Sequence, residues 1–305
     1  MNSPPSACLV LNGKASARDD VRAAVHAVRG EGHRIEVRVT WERGDATRFA
    51  RQAAETGSEI VVAGGGDGTI NEVVGGLMDA AGGPASRPSL GVMPLGTAND
   101  LAHSCGIPMD PLVALRLALS TPAVAVDVGR ANGRHFLNVA TGGFGTQVTA
   151  ETPAELKKAL GGVAYLLTGL THFTSIRPAR GRLSGPGLEW QGAFLVLAVG
   201  NGRQAGGGYQ LCPDAILTDG LFDVRVVPQL PAVEFARSLG SLFANGLDAV
   251  RQKVVGGRVP WLEVETDEPF QTNLDGEPMT ATRVRYEVLP HALQMKLPPG
   301  SPLVA

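Results

Sequence analysis

Cysteine, aromatic side chains and net charge are all scarce in this sequence. Its three cysteines, Cys8, Cys105 and Cys212, are odd in number and share no CxxC spacing. That excludes a disulfide framework or a cysteine-rich zinc site and points to a reducing cytoplasm. Cys105 and Cys212 sit in no nucleophile context and are expected to be buried filler. The six histidines are scattered, with no HExxH pair among them. Aromatic residues make up 5% of the chain, too few for a stacking platform on single strands. The 27 Lys+Arg against 29 Asp+Glu leave a net charge of −2, which excludes broad electrostatic attraction to nucleic acid. No uninterrupted apolar stretch approaches the ~18 residues of a membrane span, and the first five residues carry no basic n-region. The expected location is cytoplasmic, and no obligate protein partner is evident.

Glycine is abundant, at 40 of 305 residues. It falls between apolar runs without a three-residue period, so it marks tight loops rather than collagen. The first hundred or so residues alternate strand and helix patterns. Residues 7–11 form a continuous apolar run, as in a parallel strand covered on both faces. Val21, Ala24, Val25 and Val28 give one helical face, closed by Gly30 and Gly32. Further strands are predicted at 35–39, 60–63 and 90–93, with helical stripes after the first two and a helix following the 94–100 loop after the third. Repeated βα units call for a doubly wound, mostly parallel sheet. The second half reads as strands at 135–139, 193–199, 221–227, 262–266, 270–274 and 283–289, separated by turn residues. Only two helical stripes interrupt them, at 155–170 and 232–247. The expectation is α/β plus β: a Rossmann-like domain over 1–130, then a mainly antiparallel β-sandwich over 131–305. Whether the last segment returns to the first domain stays open.

The unusual residues share a position. Asn12, Thr40, the Gly64–Thr69 loop and Gly96-Thr97 all lie just past the C-terminal ends of predicted strands. In an open α/β sheet those ends form one rim, where ligands bind. Gly64–Thr69 also precedes a helix, whose first N–H groups and dipole favour phosphate oxygens. Neither GxxxxGK[ST] nor GxGxxG occurs there, and such loops also serve tight packing alone. Asp67 inside the loop requires a cation or a proton-transfer role, or else bonds to its own turn. Two further acidic clusters follow glycine-rich turns. The segment 214–221 suits a hard cation or a plain Asp-Gly turn. Asn273-Leu274-Asp275-Gly276-Glu277-Pro278 suits a positioned general base or, again, a turn.

Several blocks carry a family resemblance. Gly64 to Val73 reads GGGDGTINEV, and Pro94 to Asp100 reads PLGTAND. They resemble the catalytic domain of the diacylglycerol kinase superfamily. Val39-Thr40-Trp41-Glu42-Arg43-Gly44-Asp45, Ala140-Thr141-Gly142-Gly143-Phe144-Gly145, the segment 201–208 and the segment 273–278 narrow this to the bacterial YegS-type lipid kinases. The resemblance runs almost end to end. It implies a phosphofructokinase-like nucleotide domain, a β-sandwich, and ATP-dependent phosphorylation of a lipid hydroxyl such as that of phosphatidylglycerol or diacylglycerol. Thr40, Gly66, Asp67, Gly68, Thr69, Ile70, Asn71, Glu72 and Thr97 match the family's ATP contacts. Asp219, with the carbonyls of Ile216 and Leu221, matches its metal site, for Mg²⁺ or alternatively Ca²⁺. Glu277 matches the proton acceptor, and Asp67 and Asp100 match acidic positions near the phosphates.

A membrane lipid substrate implies transient peripheral contact at the inner face of the membrane. Leu156, Leu160, Val163, Leu167 and Leu170 beside Lys157 and Lys158 would suit an anionic bilayer, although a helix packed on the β domain is the favoured, ordinary reading. An NAD kinase-like phosphotransferase and a nucleotide sensor without turnover are the competing readings.

Overall fold

The computed structural model describes residues 6–143, 178–229 and 254–304. Both helical stripes of the second half, including Lys157-Lys158, lie outside the described residues, as does Phe144-Gly145.

Three apolar runs and one alternating segment form parallel strands: β1 (Ser6–Leu11), β3 (Ile60–Gly65) and β4 (Ser89–Pro94), with the alternating β2 (Arg34–Val39). Their order is β4-β3-β1-β2. Successive side chains of a strand face opposite ways, so each run feeds two layers. Cys8, Val10, Val61 and Ala63 pack with Ala46, Ala50 and Ala53 of α2 (Asp45–Glu55) and with Ile70, Val74 and Leu77 of α3 (Asp67–Asp79). Leu9, Leu11 and Val62 instead meet Val21, Val25 and Val28 of α1 (Asp19–Gly30) and Leu115 and Ala118 of α5 (Pro111–Ser120). The short α4 (Asp100–Cys105) lies between β4 and α5 and ends at Gly106, with φ 72°. The buried thiols are pushed up, Cys8 to about 11 and Cys105 to about 12, by loss of hydration, as expected of filler.

The remaining strands are mainly antiparallel. β5 (Ala123–Ala131) and the short β6 (Arg134–Phe136) lead into β7 (Val139–Gly143). Then come β8 (Ala179–Gly185), β9 (Leu188–Gly200), the small hairpin β10 (Gln204–Ala205) and β11 (Tyr209–Gln210), and β12 (Phe222–Pro228). β13 (Val255–Val259), β14 (Trp261–Leu274) and β15 (Glu277–Lys296) complete the set. Their core gathers Phe136, Phe194, Phe222, Phe270 and Tyr286, with Phe136 stacked on Phe222 at 5.6 Å. The chain is thus an N-terminal α/β part followed by a mostly antiparallel β part.

Three differences from the sequence reading have physical causes. The strand expected at 135–139 is split, because the amides of Leu137, Asn138 and Val139 turn to the Asp275 carboxylate. The strands expected at 262–266 and 270–274 are one strand, β14, with a register shift between Glu265 and Phe270. The helix α5 was not anticipated, although Asp110 caps the amides of Leu112 and Val113 and Pro111 opens its first turn. At the far end, Met295 of β15 lies parallel to Leu90 of β4, and Leu297 and Leu303 join the core of the α/β part.

Candidate functional site

The C-terminal ends of β1, β2, β3 and β4 share a rim, and the loops beyond them are tied to one another. Asn12, after β1, donates from Nδ2 to Thr69 Oγ1 at 3.1 Å. Thr40, after β2, accepts the Gly13 amide at 3.2 Å on Oγ1. A Cβ at Gly13 would lie 2.4 Å from the Thr40 carbonyl, so only glycine fits there. Thr69 lies over Gly65, where a Cβ would meet its Oγ1 at 2.4 Å. Its hydroxyl accepts from Asn12 and keeps its own proton for donation.

β3 runs through Gly64 and Gly65 into Gly66, the N-cap of α3. A Cβ on Gly96 would lie 2.4 Å from Gly66 Cα, so the loops after β3 and β4 touch backbone to backbone. Gly96 is held by Asn99, whose Oδ1 accepts the Gly96 amide at 2.8 Å while its Nδ2 donates to the Gly96 carbonyl at 3.0 Å. Asn99 does so at φ 51°, a conformation that asparagine tolerates. Gly68, the second residue of α3, is exposed and has open space where a Cβ would stand.

The two acids of these loops form a relay. Asp67 accepts the amides of Asp100 and Leu101, each at 3.2 Å, and so caps α4. Asp100 accepts the amides of Gly207 and Gly208 at 2.9 and 2.6 Å, reaching the hairpin β10–β11. Burial pushes the Asp100 carboxyl up, the two glycine amides oppose that, and the Asp67 charge adds to it.

The other expected contacts divide. Thr97 is exposed at the rim, whereas the side chain of Ile70 belongs to the core. Asn71 donates from Nδ2 to the Leu274 carbonyl at 3.4 Å, joining α3 to the β14–β15 turn. Glu72 accepts the Gly44 amide at 3.1 Å.

That loop between β2 and α2 is shaped by Asp45, which accepts the amides of Trp41 and Glu42. Arg48 and those two amides hold its carboxyl at about 2. From the same loop Arg43, which the sequence reading left without a role, forms an ion pair with Glu277 of β15. Its charge opposite an acid of a distant motif was the only available signal.

Asp219 sits apart from the glycine loops in its hydrogen bonding. Its Oδ1 accepts the Leu221 amide at 3.0 Å, and its other oxygen meets Arg258 of β13. The neighbouring Gly220 amide donates to buried Asp127 at 2.7 Å. One carboxylate with the carbonyls of Ile216 and Leu221 is an all-oxygen set that suits a hard cation. Arg258, however, lies on an oxygen such a cation would use. Among the described residues no three His, Cys, Asp or Glu side chains gather as a metal cluster.

Comparison with known proteins gives the family. The diacylglycerol kinase catalytic domain matches residues 6–131, and the YegS C-terminal NAD kinase beta sandwich-like domain matches residues 139–297. A protein of Pseudomonas aeruginosa named "Probable lipid kinase YegS-like" is 50% identical over 296 residues, covering 97% of this chain and 95% of its own. One of the same name from Serratia proteamaculans is 46% identical over 305 residues, covering 100% and 98%. A crystal structure of a diacylglycerol kinase from Bacillus anthracis superposes with a TM-score of 0.78 at 26% identity, over 98% of this chain and 99% of that one. The chain belongs to the diacylglycerol kinase catalytic-domain family, in its YegS-type branch, and is a kinase.

Proposed function

We propose that this kinase transfers the γ-phosphoryl group of ATP to a hydroxyl of a membrane lipid, in the class of phosphatidylglycerol or diacylglycerol. The contact between Gly66 and Gly96 at the N-terminus of α3 is the observation that carries this reading. It leaves backbone N–H groups and the helix dipole at the rim, where polyphosphate oxygens are favoured. Gly66, Gly68, Thr69, Thr97 and the backbone of Asp67 line the phosphate path in this reading, with Thr40 beside it. Ile70, Asn71 and Glu72 contribute by fixing the start of α3, given that their side chains are engaged elsewhere.

Phosphoryl transfer needs positioning and charge neutralisation more than covalent catalysis. Glu277 takes the proton of the acceptor hydroxyl, whose oxygen attacks the γ-phosphorus as the bond to ADP breaks. The Arg43 partner holds that carboxylate at the end of β15 near the loop that carries Thr40. Asp67 and Asp100 act by fixing the glycine loops rather than by touching phosphate. A Mg²⁺ or Ca²⁺ ion at Asp219, Ile216 and Leu221 would supply positive charge to the β part, with Arg258 giving way.

In this reading residues 1–130 are the Rossmann-like nucleotide domain and 131–305 the β-sandwich domain, the lipid being met from the cytoplasm by transient contact with the membrane face. Among the described residues no helix is long and apolar enough to cross a membrane.

The test incubates the protein with γ-labelled ATP, Mg²⁺ and total bacterial lipid extract, beside Glu277→Gln. A labelled lipid formed by the wild type and reduced about 10²–10⁴-fold in the variant is expected. A variant at full rate removes Glu277 as the base. The second domain's likeness to the NAD kinase β-sandwich favours one alternative, a soluble dinucleotide acceptor. Label in NAD rather than in lipid would establish that alternative instead.

A further inference from the structure

We propose that Asp275 is a positioning residue for phosphoryl transfer, its carboxylate anchoring the turn that carries Glu277 into the break between β6 and β7. The inference rests on the reading of Glu277 as the base.

Asp275 and Gly276 form the two-residue turn between β14 and β15, at φ 49° and 99°, with Leu274 paired to Glu277. Asp-Gly in such a turn needs no further partner. The turn's side-chain bond is supplied by Asn273, whose Oδ1 accepts the Gly276 amide at 2.5 Å. Asp275 is therefore not spent on the turn itself.

Its carboxylate reaches instead to three successive amides of another segment: Leu137 at 2.6 Å, Asn138 at 3.1 Å and Val139 at 2.9 Å. These are the residues at which the strand expected over 135–139 breaks. The receiving segment is itself held. The Asn138 carbonyl accepts the amides of Asn201 and Gly202 at 2.9 and 2.7 Å. Buried Asn201 donates from Nδ2 to the carbonyls of Leu137 and Asp127 at 2.8 and 3.0 Å.

An anion is costly to enclose unless its hydrogen bonds repay it. A plain turn would not require one. Three amides converging on a carboxylate two residues from Glu277 tie the base to a segment that Asn201 and Gly202 hold in turn. Catalytic geometry of this kind is sensitive to displacements of about 1 Å, at a cost of roughly 10²-fold.

The experiment compares full-length wild type, Asp275→Asn, Glu277→Gln and the double variant, measuring kcat and the KM for ATP with bacterial lipid extract as acceptor. Expected for Asp275→Asn is a kcat lower by about 10–10²-fold with the ATP KM within about twofold of wild type. The double variant should be no slower than Glu277→Gln, because Asp275 acts through Glu277. Losses that multiply in the double variant, or an Asp275→Asn protein with wild-type kcat beside an impaired Glu277→Gln, would overturn the positioning role alone. Glu277→Gln at wild-type rate would instead remove the base, and the positioning role with it. Where Asp275→Asn folds poorly, Asp275→Glu keeps the charge but lengthens the tether. It should bind ATP normally and lose kcat, and an Asp275→Glu protein at full kcat overturns the proposal.

Discussion

Glycine positions in one loop separate by what a methyl group would meet. At Gly96 a Cβ would collide with the Gly66 backbone, so Gly96→Ala must part the two loops. A loss of about 10²-fold in kcat/KM for ATP is expected from displacement on that scale. At Gly68 nothing stands within 4 Å and no positive φ is required. Alanine there should raise helix stability by about 0.5–1 kcal/mol. If phosphate oxygens approach this backbone, Gly68→Ala will melt higher yet show a raised ATP KM. An unchanged KM would place the nucleotide elsewhere. The acids divide in the same way. Asp275 is partly exposed as a residue, but its carboxylate is turned inward, and burial pushes it up to about 6 against the three amides that oppose this. A carboxyl raised from 3.8 to about 6 binds its proton in the folded state first. Its contribution to stability is therefore fullest at low pH and declines as pH rises through that interval. Measured by denaturant unfolding, the stability difference between wild type and Asp275→Asn should narrow between pH 4 and 7, by up to about 3 kcal/mol. A difference that widens with pH would show that the carboxylate is more acidic in the fold than in the unfolded chain. The motif around Glu277 was legible as a string of letters, but the partners of Asp275 and Arg43 were not. They lie 137 and 234 positions away, at 138 and 277, and no periodicity links them.

Elements were legible where one local rule decided them. The central parallel strands β1, β3 and β4 are buried on both faces and read as unbroken apolar runs. The edge strand β2 alternates apolar and charged residues, and their helices read as stripes of period 3.6. β14 and β15 follow a different rule. They run for 14 and 20 residues through a register shift, and their outward faces carry charge. A local window breaks them into pieces, because what joins the pieces is pairing with a distant strand. α5 shows the converse, a helix whose Asp-Pro start was present in the sequence but was not read as one. α4 is the element most dependent on a residue outside itself. It has six residues, too few to be stable alone, and its first amides are satisfied by Asp67 of α3. Asp67→Ala should cost about 0.5–2 kcal/mol in unfolding free energy, in the range of a lost N-cap. Asp67→Asn, which keeps an acceptor oxygen, should cost less. Activity falling in both variants while stability falls mainly in the alanine variant would assign Asp67 an additional role at the phosphates. Parallel losses would confine it to capping.

At the scale of the whole molecule, β15 and the C-terminal segment join the core of the α/β part, and three side chains of that part reach the β part at the site. Arg43 meets Glu277, Asn71 meets the Leu274 carbonyl, and Asp100 meets the amides of Gly207 and Gly208. The last of these is the most consequential, because Asp100 sits on the helix that Asp67 caps. The phosphate loop, α4 and the β10–β11 hairpin are thus linked in series through two carboxylates. An amide at position 100 offers one acceptor oxygen and turns a donor toward a glycine N–H, so one of the two bonds must be lost. A hydrogen bond to a charged group is worth about 1.5–3 kcal/mol. Asp100→Asn should therefore free the hairpin locally without unfolding the sheet. Hydrogen exchange provides the test, since amides open locally with free energies below that of global unfolding. Exchange at Gly207 and Gly208 should quicken by about 10-fold or more, while amides within β1, β3 and β4 keep their protection. Uniform loss of protection would mean that Asp100 supports the entire fold. Unchanged exchange at the hairpin would mean that its two glycine amides are held by something other than this carboxylate.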